Sequence, residues 1–341
     1  MHPGDRAVTT ARACIFGCEG LRLTPDEVAF FAEADPWGFI VFARNIETPD
    51  QLRALCGDLR DTVGREAPIL IDQEGGRVQR LRAPHWREWK APLEFCKAAG
   101  VDVEEAMYLR GRLIASELRS VGLDVNCAPM LDVATNDSHP IILDRCYGFS
   151  PDIVSHAGRA MSEGMLAGGV LSVAKHIPGH GRASVDSHEG LPRLQTPKDE
   201  LETTDFAPFK ALADLPMAMT AHVVFEALDT ELCATLSPTV IATIRGRIGF
   251  DGLLMTDDLS MKALSGTYGE RADAALAAGC DVILHCNGDR AEMEPIAAHT
   301  PRLSGLAQAR ASAALAMRHR PGEFDPDAAF ARLAEIESDA A

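Results

Sequence analysis

Short apolar runs alternate with amphipathic segments along nearly the whole chain. Each run is too short for a buried helix and is typical of a strand buried on both faces. The pattern predicts strands at residues 13–17, 38–42, 68–71, 124–128, 170–174, 217–220, 252–255 and 282–284. The intervening periodicity and start signals, such as Thr24-Pro25-Asp26-Glu27, predict helices. These helices cover residues 25–34, 49–63, 103–121, 151–167, 198–212, 238–248 and 272–278, with a helical tail from about 303.

Eight strands separated by helices predict the α/β class and a parallel sheet covered on both faces. Eight such units in one chain match a (β/α)8 TIM-type barrel, whose chemistry lies at the carboxyl ends of the strands. A doubly wound open sheet is the alternative, but no GxGxxG motif follows the first strand. No linker or repeat marks a boundary, so we expect one catalytic domain over residues 1–341 with a C-terminal helical extension.

Charge and composition narrow the choice of partners and compartment. The chain carries a formal net charge of −17, which disfavours nucleic acid and anionic membrane surfaces as partners. Its nine cysteines lack CxxC spacing, which favours a reducing compartment over a disulfide framework or a zinc knuckle. No apolar run is long enough to span a bilayer, and the first residues lack a signal-peptide core. We therefore expect a cytoplasmic protein.

Polar residues stand at the carboxyl ends of the predicted strands, where a barrel would bring them to one mouth. They are Asp72, Asp132, Lys175, His176, His222, Asp257 and His285. Asp132 could instead cap the following turn, and His222 could be a satisfied core histidine. The set taken together predicts a functional site.

The segment from 171 to 192 combines a buried strand with a loop rich in titratable groups. The strand leads into Lys175 and His176, and the loop then carries Asp186 and His188. An aspartate two residues from a histidine can accept the ring N–H and stabilise the imidazolium, as general acid–base catalysis requires. Asp257 follows another apolar strand directly, so the sheet fixes its backbone. Its neighbour Asp258 should point to the opposite side, and the sequence does not say which of the two faces the mouth.

These residues leave three functions open. A carboxylate opposite a His–Asp pair suits double displacement at an acetal carbon. His176, His180, His188, His222 and Asp257 could instead ligate a metal, although they lack HxH or HxxEH spacing. The third possibility is a sugar-binding barrel without activity, which would need no His–Asp pair.

Five segments of the chain resemble the bacterial β-N-acetylglucosaminidases of glycoside hydrolase family 3. They are IDQEGGRVQR at 71–80, DVNCAPMLDV at 124–133, KHIPGHG at 175–181, DSHEGLP at 186–192 and TDDLS at 256–260. The one departure is Ile177, where the family pattern KHFPGHG has phenylalanine. In combination these motifs are highly specific, and they extend over nearly the whole chain.

The resemblance implies a role for each matching residue. Asp257 would be the nucleophile, and His188 would be the acid/base with Asp186 as its partner. The residues that would hold N-acetylglucosamine are Asp72, Arg80, Arg145, Lys175 and His176. The resemblance also implies a metal- and cofactor-free enzyme of cell-wall recycling that acts on 1,6-anhydro-N-acetylmuramoyl peptides, and we expect a monomer. The glycines in the loop further predict that residues 181–190 move when substrate binds.

Overall fold

The computed structural model describes residues 10–183 and 190–339. Its centre is a closed barrel of parallel strands, which confirms the predicted (β/α)8 architecture. Neighbours along the chain pair with one another, and the last strand closes on the first. The barrel strands are β1 Arg12–Gly17, β2 Pro36–Val41, β3 Ile69–Ile71, β4 Val125–Asn126, β5 Leu171–Ile177, β6 Met217–Thr220, β7 Leu253–Asp258 and β8 Val282–His285.

Alternation along the strands divides the apolar side chains between two layers. Leu253 and Met255 of β7 belong to the cluster inside the barrel, whereas Leu254 packs outward under the helices. The same alternation in β8 puts Leu284 inside and Ile283 outside. Because the lower barrel is filled by apolar side chains, polar chemistry is confined to the carboxyl ends of the strands.

Helices surround the barrel, and many begin at the signals that the sequence carries. Thr24 accepts the Glu27 N–H, and the Glu27 carboxylate accepts the Thr24 N–H in return, which forms a capping box. The helices are α1 Pro25–Ala34, α2 Pro49–Val63, α3 Pro92–Ala99, α4 Val103–Ser120, α5 Pro140–Leu143, α6 Pro151–Ala167, α7 Lys198–Thr203, α8 Ala207–Ala211, α9 Pro238–Thr243, α10 Tyr268–Ala278, α11 Arg290–His299, α12 Gly305–Ala316 and α13 Pro326–Asp339. Within the described ranges, none is both long and apolar enough to cross a membrane.

The helix predictions fail in three respects. The single helix predicted over 198–212 is two helices, α7 and α8, because the intervening Asp205 turns inward to accept hydrogen bonds from Arg182 and Thr204. Helix α10 begins at a Thr267 capping box, earlier than the predicted 272. Helices α3, α5 and α11 were not predicted at all, and α11 forms despite an internal Pro295 because its other residues bury an apolar face.

A hairpin above β3 displays the 71–80 motif at the mouth of the barrel. Residues Gln73–Gly75 pair with Val78–Gln79 in antiparallel fashion. Gly75 has φ +111°, and a side chain there would overlap the Arg110 guanidinium and crowd the Lys90 carbonyl oxygen, 2.8 Å away. Only glycine fits this position, so the close packing of the hairpin depends on it.

Candidate active site

A cavity of about 320 Å³ opens at the carboxyl ends of the strands. Its apolar wall comes from barrel residues such as Ile40, Met219 and Leu284, which close it from below. Its charged and polar lining consists of Asp72, Arg77, Arg80, Arg145, Lys175, His176, His180, Asp257, Asp258 and Cys286. Six residues singled out in the sequence, Asp72, Arg80, Arg145, Lys175, His176 and Asp257, therefore meet in one cavity.

The base of this cavity holds a network of ion pairs, which we call the ionic floor: Asp72, Glu74, Arg80, Arg145 and Lys175. Lys175 Nζ lies 3.0 Å from Asp72 Oδ1 and 2.6 Å from Glu74 Oε1. Arg145 donates to both Glu74 oxygens, at 2.9 and 2.8 Å, in a bidentate arrangement. Arg80 donates to Asp72 Oδ2 at 3.1 Å. Each charge therefore has an opposite partner, as burial demands.

The ionic floor fixes the charge states of its members. Burial favours the neutral acid, but Lys175 and Arg80 outweigh it and lower the pKa of Asp72 below its ordinary range. Burial would also raise the pKa of Glu74, but Arg145 and Lys175 outweigh it and lower that pKa to about 2. At Lys175 burial favours the neutral amine, yet the two carboxylates raise its pKa above the ordinary value. All three groups are charged at neutral pH.

A second buried carboxylate, Asp132, organises the strand end beside the floor. Asp132 Oδ2 lies 2.7 Å from His176 Nδ1, and its oxygens accept the backbone N–H groups of His176 and His180, the latter at 2.5 Å. Since Nδ1 donates to the carboxylate, His176 is left with Nε2 for other partners. His180 packs 5.5 Å from His176 between ring centroids and is buried, which lowers its pKa to about 4. His180 is therefore neutral at neutral pH.

Asp257 and Asp258 lie side by side but have different surroundings. Asp257 continues the inward alternation of Leu253 and Met255, and its Oδ1 accepts only the Asp258 N–H among the described residues. The Asp258 carboxylate accepts the N–H and hydroxyl of Ser260 and the N–H of Cys286. Burial favours protonation of Asp257, but nearby His176 and His222 outweigh it and lower its pKa. Asp257 therefore presents an ionised, lightly bonded carboxylate to the cavity.

Two strand-end histidines do not line the cavity: the placement of His285 at the mouth was wrong, whereas the interpretation of His222 as a core histidine is confirmed. His285 follows Leu284 on the outward face of β8, where Tyr268 packs edge-on against it at 5.7 Å. His222 is fully buried, with Nδ1 2.7 Å from Thr235 Oγ1 and Nε2 3.0 Å from the Asp258 carbonyl oxygen. His222 is thus a satisfied core histidine that supports the backbone beside Asp257.

The sequence reasoning missed Glu74 as a site residue. Glu74 lies within the 71–80 motif, but a single sequence does not show whether a carboxylate is buried in a site or exposed to water. A usable signal was the pair of cations, Lys175 and Arg145, that converge on the mouth and require more negative charge than Asp72 supplies. Asp132 was recognised at a strand end, but its bonds to His176 and His180 were not.

The predicted acid/base pair, Asp186 and His188, lies outside the described residues. Their roles and the expected movement of their loop therefore stay predictions. Within residues 10–183 and 190–339, no three His, Cys, Asp or Glu side chains come together as ligands for a metal ion. The expectation that no metal is needed likewise stays a prediction.

A family model, sequence relatives and solved structures all relate this chain to the same family of glycoside hydrolases. The glycosyl hydrolase family 3 N-terminal domain matches residues 26–318. A β-hexosaminidase of Methylococcus capsulatus is 39% identical over 324 residues, which are 93% of this chain and 94% of that protein. A family 3 β-N-acetylglucosaminidase from Paenibacillus sp. FPU-7 superposes with a TM-score of 0.82 at 30% identity, covering 95% of this chain and 67% of that one.

The barrel also superposes on NagZ from Neisseria gonorrhoeae, solved in complex with N-trifluoroacetyl-D-glucosamine. That match has a TM-score of 0.85 at 28% identity and covers 98% of this chain and 99% of that one. The domain match extends over more than half of the chain, and the match to the Methylococcus capsulatus β-hexosaminidase covers nearly the full length of both proteins. The chain therefore belongs to glycosyl hydrolase family 3 and is a glycoside hydrolase of the β-N-acetylhexosaminidase type.

Proposed function

We propose that this enzyme removes a terminal N-acetylglucosamine from β-glycosides with retention of configuration. The observation that carries the proposal is the state of Asp257, which is ionised and faces the cavity. Among the described residues, its carboxylate accepts a single hydrogen bond, from the Asp258 N–H. A carboxylate in that state is suited to attack an anomeric carbon. The N-acylated glucosamine in the gonococcal NagZ complex supports the choice of sugar.

The reaction proceeds in two displacements. In the first, Asp257 forms a bond to the anomeric carbon while the bond to the leaving oxygen breaks, and His188 gives that oxygen a proton. In the second, water attacks the same carbon, His188 takes a proton from the water, and the bond to Asp257 breaks. Asp186 would accept the His188 ring N–H and stabilise the imidazolium in between. The roles of His188 and Asp186 rest on the family resemblance.

The ionic floor would bind the hydroxyl groups of the sugar. The proposed contacts of the sugar are four members of the floor, Asp72, Arg80, Arg145 and Lys175, together with the neighbouring His176. Pairing within the floor holds its four members in place before substrate arrives. Because Asp72 and Lys175 are held in their charged forms, they offer hydrogen bonds without first having to gain or lose protons. This preorganisation reduces the ordering that binding requires.

The substrate in the cell would be a muropeptide, specifically a 1,6-anhydro-N-acetylmuramoyl peptide carrying terminal N-acetylglucosamine. We propose a role in peptidoglycan recycling in the cytoplasm, with the whole chain acting as one catalytic domain and as a monomer. The similarity to NagZ and to β-hexosaminidases supports this assignment. Gel filtration with light scattering would test the monomer.

Labelling with a slow fluorinated N-acetylglucosaminide tests the nucleophile. Peptide mapping should find the sugar on Asp257, and NMR should show the β-anomer as the first product. Asp257→Asn should lose turnover of an aryl β-N-acetylglucosaminide by many decades, since the first step has no other nucleophile. Asp258→Asn is the matched control and should still be labelled at Asp257. A label on Asp258, or α-anomer as first product, would refute the mechanism.

A leaving-group series tests His188. His188→Ala should lose kcat/KM far more for substrates with basic leaving oxygens than for activated aryl glycosides, because only the former need the proton. Removal of a general acid typically costs about 10²–10⁴ in rate. An equal loss across the series would contradict proton donation by this residue.

A further inference from the structure

Arg77 stands at the rim of the catalytic cavity without an assigned role. It lies at the turn of the hairpin formed by Gln73–Gly75 and Val78–Gln79, lines the cavity and is exposed. In the part of the chain that the structure describes, its guanidinium makes no hydrogen bond and no ion pair. An arginine that lines a cavity but bonds to nothing in it is available to a ligand.

The backbone around Arg77 is held firmly. The Gly76 N–H donates to the Trp89 carbonyl oxygen at 2.8 Å, and Arg82 Nη2 donates to the Gly76 carbonyl oxygen at 2.8 Å. Gly76 has φ +59°, and a side chain there would lie 2.8 Å from Ala91 Cα. The hairpin therefore presents the Arg77 side chain from a fixed point at the mouth, which limits the ordering needed on binding.

The other cations of the cavity lining are already matched by acids. Arg80 pairs with Asp72, Arg145 with Glu74, and Lys175 with both carboxylates. The floor contains three cations and two carboxylates, all paired, and the ionised Asp257 beside it brings the sum of these charges to zero. The interior of the cavity therefore offers no net attraction to an anionic group, and the chain as a whole carries −17. Among the cations of this lining, Arg77 is the one without an acidic partner in the described residues.

Position decides which part of the substrate Arg77 meets. Barrel residues such as Met219 and Leu284 close the cavity from below, so a terminal sugar must enter first and its leaving group must remain toward the opening. We propose that Arg77 binds a carboxylate on the leaving group and so selects acidic aglycones, either a muramic acid whose lactyl carboxyl is free or a muropeptide with a carboxylate in its peptide. This inference rests on the proposed function, and it assigns the recognition of charge to one residue.

A matched pair of disaccharides isolates the charge. The probes are N-acetylglucosaminyl-β-1,4-N-acetylmuramic acid and its lactyl methyl ester, which share the same leaving oxygen. The wild-type enzyme should hydrolyse the acid with up to about fivefold higher kcat/KM, and that preference should shrink at high salt because an exposed pair is screened. Arg77→Gln should lower kcat/KM for the acid to the level of the ester and leave the ester unchanged, whereas Arg77→Lys should keep part of the preference.

Arg53→Gln is the control, since Arg53 is an exposed arginine outside the cavity lining and pairs with Asp50 at 2.5 Å. It should leave the ratio of acid to ester unaltered. Equal losses of both substrates in Arg77→Gln would overturn the proposal in favour of a structural role, and an unchanged ratio would also overturn it. Failure of the wild-type enzyme on both disaccharides and on aryl N-acetylglucosaminides would instead refute the proposed function.

Discussion

Replacement of Glu74 by glutamine would test the ionic floor most directly. Glu74 is buried and accepts from Lys175 Nζ at 2.6 Å and from two nitrogens of Arg145. Glutamine keeps one carbonyl oxygen but replaces the other with an NH2 group, which would face the donors of Arg145 or Lys175. The variant therefore loses one acceptor and leaves two buried cations short of negative charge, the situation in which broken buried pairs are most costly.

The lowered pKa gives the size of the effect. Burial opposes ionisation of Glu74, yet Arg145 and Lys175 bring its pKa from an ordinary 4.5 to about 2. Each tenfold change in proton affinity is worth about 1.4 kcal/mol, so ionised Glu74 contributes about 3 kcal/mol to the free energy of unfolding at pH 7. Loss of one partner from a buried ion pair typically costs about 3–5 kcal/mol. We expect Glu74→Gln to lose about 3 kcal/mol.

Urea unfolding of wild type and variant at several pH values is the assay. Because the folded pKa lies below the unfolded one, the contribution of Glu74 is complete above pH 4.5 and disappears as pH falls towards 2. The difference between the two proteins should therefore shrink over that window. kcat/KM at pH 7 should also fall, by about a hundredfold, since displaced binding groups carry costs of that order.

Glu88→Gln provides the matched control. Glu88 pairs with Arg82 at the surface, where such pairs contribute about 0–1 kcal/mol. A loss of less than 1 kcal/mol in Glu74→Gln, or a difference that persists undiminished at acid pH, would refute the account of the floor given above.

Two further predictions concern Gly181 and His180, which follow strand β5. Gly181→Ala should lower the melting temperature and kcat/KM together, because a side chain there would overlap the Val133 carbonyl oxygen. The control is Gly246→Ala, which places its methyl group in open space and should be neutral or stabilising. Equal effects of the two substitutions would contradict the importance of the close contact at Gly181. Burial lowers the pKa of His180 to about 4, so the unfolded chain binds a proton that the folded chain does not, and stability should fall as pH falls from 6.5 to 4. Chemical unfolding of His180→Gln should show a flatter pH dependence, and an unchanged slope would show that other groups set it.

The fold was largely predictable because the barrel strands are buried on both faces and stand out as apolar runs. All eight predicted strands are present, with ends shifted by a few residues. The failures arise where tertiary contacts override the local pattern. The break between α7 and α8 exists because Asp205 and Arg182 bond to each other across the fold, a contact that no local window contains.

The site was less predictable, because its chemistry depends on which way each side chain points and on how deeply each charged group is buried. The strand end at His285 resembles that at Asp257, yet alternation turns the first outward and the second inward. Strict alternation fails at β5, where the pairing with β6 shifts register between Lys175 and Ile177 and both Lys175 and His176 reach the cavity. Register of this kind is a property of strand pairing, which a single sequence does not record.

The pairing within the ionic floor also determines which inhibitors this enzyme should bind well. Lys175 and Arg145 are committed to Asp72 and Glu74, so an anionic sugar analogue would find no unpaired cation beneath it. Asp257 remains ionised and has no salt-bridge partner among the described residues. An iminosugar that carries the acetamido group and a protonated nitrogen in its ring would place its charge beside that carboxylate, as the positively charged transition state does. Such a cation should bind more tightly than the uncharged carbocycle of the same shape, and Asp257→Asn should abolish the difference.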